Sequence, residues 1–126
     1  MSAAAFEPNF IILYVRSATD SAAFYSTLLG KPPVDASPGF AMFALQSGVM
    51  LGLWKASDVK PAATPAGGSE VAFAVGGIEA VNACHDQWRG LGLPIAQAPT
   101  QMDFGYTFVA IDPDGHRLRV FAPSQG

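Results

Sequence analysis

Histidine and cysteine, the residues that most often bind metals or act as nucleophiles, are few in this chain and poorly spaced. His85, His116 and Cys84 are the complete set. Neither histidine has a partner at metal-binding spacing, such as a second histidine four residues away on a helix. Cys84 lies on an apolar helical face without an evident local base, which favours packing over catalysis. These residues therefore predict no catalytic residue, no resident metal and no cofactor.

Aromatic side chains are the second group with a chemical use, because flat rings stack on flat ligands. Trp54 ends a predicted strand and is a candidate stacking platform; the alternative is a tryptophan in the core or a dimer interface. The other candidates lie on two predicted hairpins: Phe40, Phe43, Phe104, Tyr106 and Phe108. Strand alternation predicts the last three on one face, as an apolar wall with one phenolic donor. Ordinary core is the alternative for at least half of these rings. Tyr106 is the preferred ligand contact, because a buried hydroxyl needs a partner.

The composition is that of a folded domain with its own core. The chain has 126 residues, of which 50% are hydrophobic and 13% charged, with a net charge of −3. Its seven lysines and arginines are scattered, so no nucleic-acid partner is expected. The apolar runs are too short to span a bilayer, and Met1–Phe6 does not resemble a signal peptide. A single cysteine excludes an internal disulfide and fits the cytoplasm.

The elements that would position these residues occur twice. The first copy has a strand Phe10–Arg16, predicted to be buried on both faces, a helix capped by Ser17 or Thr19 and ended by Gly30, and hairpin strands Phe40–Leu45 and Val49–Trp54. The second copy has a strand Glu70–Val75, a helix ended by Gly90 and Gly92, an edge strand Pro94–Ala98, and hairpin strands Tyr106–Ile111 and Arg117–Phe121.

Each half therefore predicts a βαβββ module, and the fold class is α+β. Module one covers about residues 9–56, a linker rich in proline, alanine and glycine covers 57–69, and module two covers about 70–123. A repeat of this length cannot bury its sheet face alone, so we expect the two copies in the single domain of residues 1–126 to be paired. The linker could serve either pairing within one chain or exchange of modules between subunits.

This order resembles the glyoxalase/bleomycin resistance/extradiol dioxygenase superfamily, the vicinal oxygen chelate fold. The resemblance extends from about Phe10 to Pro123 and includes Phe24-Tyr25 and the turn from Asp112 to His116. Within the superfamily, the chain is most similar to phenazine-type antibiotic-binding resistance proteins, through the segments Leu53-Trp54, Ser69-Glu70 and Phe104 to Phe108. The resemblance implies two modules with curled mixed sheets that enclose a cleft, and a homodimer.

Enzymes of this superfamily use His, Gln or Glu at four strand positions to bind a divalent metal. By resemblance, these positions fall on Phe10, Gly52, Glu70 and Arg119. Only Glu70 has a ligand for a metal, and the permanently charged Arg119 would repel one. Glu70 and Arg119 instead suggest an ion pair in the cleft. Arg119, like Arg16, is then a candidate for a ligand carboxylate; the alternative is a structural salt bridge replacing the metal.

The leading hypothesis is a metal-free protein that binds and sequesters a small planar aromatic compound, such as a phenazine-like or bleomycin-like antibiotic. Its predicted ligand-binding residues are Trp54, Phe40, Phe43, Phe104, Tyr106, Arg119, Glu70 and Arg16. The first alternative is a metal-dependent lyase, isomerase or dioxygenase of the same superfamily. The second is an interaction module without a small ligand, which would show an exposed apolar patch.

Overall fold

The computed structural model describes residues 7–124 and divides into two compact units between Pro65 and Ala66, inside the segment predicted as the linker. Each unit has one α-helix and one four-stranded mixed sheet, so the α+β class and the two βαβββ modules are confirmed. Met1–Phe6, the subject of the signal-peptide expectation, lie outside the described residues. Within residues 7–124, no helix is long and apolar enough to cross a membrane.

The first unit follows the predicted βαβββ order, and its short second strand is the one to which the sequence analysis assigned no residues. Its elements are β1 (Phe10–Val15), α1 (Ala18–Leu29), β2 (Asp35–Ala36), β3 (Phe40–Ala44) and β4 (Met50–Lys55), with a single 3₁₀ turn at Ala56–Asp58. The sheet order is β1-β4-β3-β2, and only β1 and β4 are parallel. Helix α1 is capped at its start by Ser17, whose hydroxyl accepts a hydrogen bond from the Asp20 amide, and at its end by Gly30, with φ of 70°.

The prediction that the first strand is buried on both faces was wrong. Leu13 and Val15 are buried, but Phe10, Ile12 and Tyr14 are 41%, 45% and 36% exposed. Strand β1 is at the edge of its sheet, and α1 packs on β2, β3 and β4. The helix therefore covers only one face of the sheet, and the apolar side chains on the other face keep their exposure.

The second unit repeats this plan. Its elements are β5 (Glu70–Ala74), α2 (Ile78–Gly90), β6 (Ile95–Met102), β7 (Gly105–Ile111) and β8 (Arg117–Pro123). The sheet order is β5-β8-β7-β6, with β5 and β8 parallel, so β6 is at an edge as predicted. The turn between β7 and β8 is held by Asp112, whose buried carboxylate accepts the amides of Asp114 and His116 at 2.9 and 2.8 Å.

The core of the second unit lies between α2 and one face of its sheet. Trp88 of α2 makes edge-to-face contacts with Phe73 and Phe108, with ring centroids 5.4 and 5.6 Å apart. Val81, Leu118 and other apolar residues complete this layer. In each unit, the opposite face of the sheet does not contact the helix, and we call it the helix-distal face.

Candidate functional site

An ion pair between Glu70 and Arg119 dominates the helix-distal face of the second unit. Nε of Arg119 donates to Oε1 of Glu70 at 2.7 Å, and Nη2 donates to Oε2 at 3.0 Å. Both carboxylate oxygens are therefore bound by one guanidinium, in the planar two-point geometry that arginine favours. The arginine side chain is 17% exposed and that of the glutamate 29%, so solvent still reaches the pair.

The third nitrogen of the Arg119 guanidinium, Nη1, is also held by hydrogen bonds. Nη1 donates to Oε1 of Gln97 at 3.3 Å and to the hydroxyl of Thr107 at 3.2 Å, and Thr107 itself donates to the carbonyl of Val120. The ring of Phe104 lies 5.6 Å from the guanidinium carbon, a cation–π distance. Four of the five N–H groups of Arg119 thus have partners, and its orientation is set from three strands.

The pair shifts the ionisation of both groups in the direction expected for opposite charges. The hydrogen bonds from Arg119 hold the pKa of the Glu70 carboxyl below its usual value, against a smaller opposing effect of burial. The same bonds to Glu70 raise the pKa of Arg119. Glu70 is therefore ionised and engaged at neutral pH.

A second arginine, Arg117, accompanies this pair. It is the register partner of Glu70 in the parallel β5–β8 ladder, and its Nη1 lies 3.9 Å from Oε2, beyond hydrogen-bond distance. Its side chain is 60% exposed. Glu70 balances Arg119 directly, so the surplus positive charge of this cluster belongs to Arg117.

The helix-distal face of the first unit is apolar. A Cβ atom built on Gly52 would lie 2.8 Å from Cζ of Phe40 and 2.9 Å from Cε1 of Phe10. The two phenylalanine rings therefore occupy the space that any side chain at this position would need. Position 52 of the central strand β4 is therefore a glycine, with the rings of Phe10 and Phe40 packed over it.

Trp54 lies further along the same face, between two aromatic residues. It is the register partner of Tyr14 on β1 and of Phe40 on β3, and cross-strand partners share a face. The Tyr14 and Trp54 rings meet edge to face, with centroids 6.5 Å apart. Trp54 is partly exposed. We call Tyr14, Trp54 and Phe40 the aromatic row.

The four positions implied for a metal occupy equivalent places in the two units, but their side chains do not fit a metal. Phe10 and Glu70 begin β1 and β5, while Gly52 and Arg119 are the third residues of β4 and β8. The registers agree, since Ile12 pairs with Gly52 as Ala72 pairs with Arg119. Phe10 and Gly52 provide no donor atom, and both oxygens of Glu70 are bound by a guanidinium. Among residues 7–124, no group of three or more His, Cys, Asp or Glu residues could hold a metal ion.

Three of the aromatic residues singled out from the sequence lie on the helix side of their sheets. Phe43 has no exposed surface and belongs to the core of the first unit, because it is three residues from Phe40 along a strand and so faces the opposite way. Phe108 is likewise fully buried. Tyr106 faces α2, and its hydroxyl donates to Oδ1 of Asn82 at 3.0 Å.

The prediction that Phe104 shares a face with Tyr106 was therefore wrong. Gly105, with φ of 150°, begins β7, so Phe104 precedes the strand and does not follow its alternation. The Phe104 ring instead lies over Arg119 and meets Phe121 at a centroid distance of 6.0 Å. Arg16 is exposed directly after β1.

Two surface cavities of the second unit flank its sheet. One, of about 610 Å³, is lined by Glu70, Arg117 and the loop of Ala66 to Ser69, with Gly115. The other, of about 450 Å³, lies at the beginning of α2 and is lined by Tyr106 and Glu79 among others, without Glu70 or Arg119. Only the first cavity adjoins the ion pair, so we regard it as the relevant one.

Sequence reasoning missed the residues that hold or extend these groups: Tyr14, Gln97, Thr107, Arg117 and Phe121. A signal existed for Arg117, because residues two apart on a strand share a face and Arg119 was already a candidate. Gln97 and Thr107 gave no such signal, since their contacts depend on strand pairing across β6, β7 and β8.

Comparisons with known proteins agree with this architecture. A family described as the Glyoxalase/Bleomycin resistance protein/Dioxygenase superfamily matches residues 7–120. The phenazine antibiotic resistance protein EhpR of Enterobacter agglomerans is 28% identical over 116 residues, covering 90% of this chain and 89% of EhpR. The solution NMR structure of protein ATC0852 from Agrobacterium tumefaciens is 44% identical, with a TM-score of 0.89, and covers 96% of this chain and all of that one. A glyoxalase-related enzyme from Fulvimarina pelagi, 20% identical, shares the fold with a TM-score of 0.82 over 94% of this chain and 88% of its own.

Proposed function

Because this chain belongs to the glyoxalase/bleomycin resistance protein/dioxygenase superfamily, we propose that it binds and sequesters a small planar aromatic compound. The phenazine resistance relative and the family's own description suggest the class of compound, phenazine-like or bleomycin-like. Sequestration requires affinity alone, so it needs neither an activated nucleophile nor a metal. This function is compatible with the donor set described above.

The aromatic row is the observation that carries the proposal. Tyr14, Trp54 and Phe40 lie side by side on three neighbouring strands, on the face away from the helix. Trp54 and Phe40 are partly exposed, and the Tyr14 side is more open still. A flat ring that stacks on Trp54 gains about 0.5–1.5 kcal/mol beyond the burial of its area. Of the residues predicted to contact the ligand, we retain Trp54, Phe40 and Arg16, which belong to the first unit. Phe104, Glu70 and Arg119 form a separate group in the second unit.

A tryptophan-fluorescence titration tests the proposal. The panel consists of planar aromatic compounds, including phenazine and phenazine-1-carboxylate. We expect saturable quenching at one ligand per chain in the wild type. In Trp54→Phe the quenching should largely disappear, because the remaining Trp88 is only 5% exposed in the core of the second unit.

Calorimetry measures the affinity without relying on tryptophan fluorescence, so it separates a loss of binding from a loss of the optical signal. Trp54→Ala should weaken binding by about tenfold, the upper range for an aromatic contact. Tyr106→Phe is the control, since Tyr106 faces α2 and should leave the affinity unchanged. Binding that survives in Trp54→Ala but is lost in Tyr106→Phe would contradict the site. Stoichiometric divalent metal in the purified protein would contradict the function itself.

We also propose that the protein is a cytoplasmic homodimer. The dimer is consistent with the exposed apolar residues of the edge strand β1, such as Phe10 and Ile12. Light scattering on the purified protein should give twice the 13.1 kDa of one chain.

A further inference from the structure

We infer that Arg117, in the cavity it shares with the loop of Ala66 to Ser69, binds the carboxylate of an aromatic acid. This inference rests on the proposed function for the class of ligand only, and it concerns the second unit alone. It assigns the carboxylate to a residue that sequence reasoning did not select. Arg119 had been the candidate for that group. The contacts of the two arginines decide between them.

Arg119 has little capacity left for an anion. Its Nε and Nη2 bind both oxygens of Glu70, and its Nη1 binds Gln97 and Thr107. One N–H of Nη2 remains, and a single donor cannot make the two-point contact that arginine gives a carboxylate.

Arg117 has the opposite properties. Its side chain is 60% exposed, and its ion-pair contact to Glu70 is long, at 3.9 Å. Exposed ion pairs of this kind contribute little, so a ligand can replace the contact at small cost. Because Glu70 is already neutralised by Arg119, the three charges sum to one positive charge, and its exposed carrier is Arg117.

The cavity beside Arg117 leaves room for a carboxylate. It measures about 610 Å³, and its walls include Gly67, Gly68 and Gly115, whose lack of side chains keeps the approach to the guanidinium open. A Cβ built on Gly67 or Gly68 would meet no atom within 4 Å. Their φ angles of 147° and 77° favour glycine in this loop. Glu70 and Arg117 are the charged residues that line the cavity.

Two probes that differ only by a carboxylate test the inference: phenazine and phenazine-1-carboxylate. In low salt, the wild type should bind the carboxylate about tenfold more tightly, and the preference should shrink in 0.5 M NaCl. Arg117→Gln should abolish the preference while keeping the affinity for phenazine. Arg117→Lys should recover part of it, because the charge returns without the planar fork.

Arg89→Gln is the matched control, since Arg89 is an exposed arginine in the last turn of α2 and its loss changes the net charge equally. It should leave the preference unchanged. Equal affinity of the wild type for the two probes, an unchanged preference in Arg117→Gln, or an equal loss in Arg89→Gln would each overturn the inference while leaving the proposed function intact. A wild type that binds neither probe would instead overturn the proposed function for this ligand class, and the inference with it.

Discussion

Arg119 and Glu70 form two parallel hydrogen bonds, of 2.7 and 3.0 Å, at two of the four positions that the family resemblance implies for metal ligands. Gln97, Thr107 and the Phe104 ring hold the guanidinium in this orientation. A fixed organic cation thus occupies the second unit, while phenylalanine rings fill the equivalent place in the first. This arrangement is compatible with the proposed binding function, which needs affinity alone.

The first prediction concerns the pH dependence of stability at Glu70. Its pKa is lower in the folded protein than the usual 4.5, so its stabilising contribution is complete above about pH 4.5 and is lost as the pH falls through the folded value. Glu70→Gln should lower the free energy of unfolding at pH 7 by about 1 kcal/mol, because the pair is partly exposed. Urea unfolding from pH 7 to pH 3 should show this difference disappear below pH 4.5.

Glu7→Gln is the control for that experiment, since Glu7 is an exposed carboxylate. It should unfold like the wild type at pH 7. A difference between wild type and Glu70→Gln that persists undiminished at pH 3 would show that packing, and not the charge, carries the contribution of Glu70.

The second prediction concerns the contact between Gly52 and the two phenylalanine rings. In Gly52→Ala the new methyl group would lie within 3 Å of both Phe10 and Phe40, so the rings must move. We expect a loss of about 1–3 kcal/mol in the free energy of unfolding, as for other overpacked sites. The control is Gly90→Ala in α2, where a Cβ meets nothing within 4 Å and alanine favours the helix. Equal stability of the two variants would contradict the observed ring positions.

The third prediction concerns the start of β7. Gly105 has φ of 150°, and a Cβ there would overlap the carbonyl oxygen of Ala122 on the neighbouring strand. Gly105→Ala should therefore destabilise the protein by about 3 kcal/mol or more, because the obstacle is backbone. Gly76→Ala, at an open position without positive φ, should change stability by less than about 1 kcal/mol. Thermal unfolding of both variants measures the contrast.

The fourth prediction concerns the reactivity of the single cysteine. Burial raises the pKa of the Cys84 thiol to about 11, so little thiolate is present at pH 8. Iodoacetamide should modify the folded protein on the order of a hundredfold more slowly than free cysteine, whose pKa is about 8.5. In 6 M urea the difference should vanish. Rapid modification of the folded protein at pH 8 would contradict the partial burial of Cys84 on α2.

Local patterns were sufficient for the elements and for some of their ends. The sequence predicted both caps of α1, Ser17 and Gly30, because a capping hydroxyl and a glycine affect the helix end only within one turn. Local patterns gave the wrong burial where the exposure of a side chain depends on which other element packs over it. The apolar run of β1 predicted a strand buried on both faces, but α1 packs on its neighbours and leaves Phe10 and Ile12 exposed.

The candidate site shows the same division. The sequence by itself determined which donor atoms the implied positions lack, since Phe10, Gly52 and Arg119 provide no metal ligand whatever the distances between them. Only the tertiary structure decided how the charges are shared. Strand register brings Glu70 against Arg119 and leaves Arg117 exposed, and these contacts join residues about fifty positions apart. Side-chain spacing along one strand cannot specify such contacts, because they depend on which strands pair and in what register.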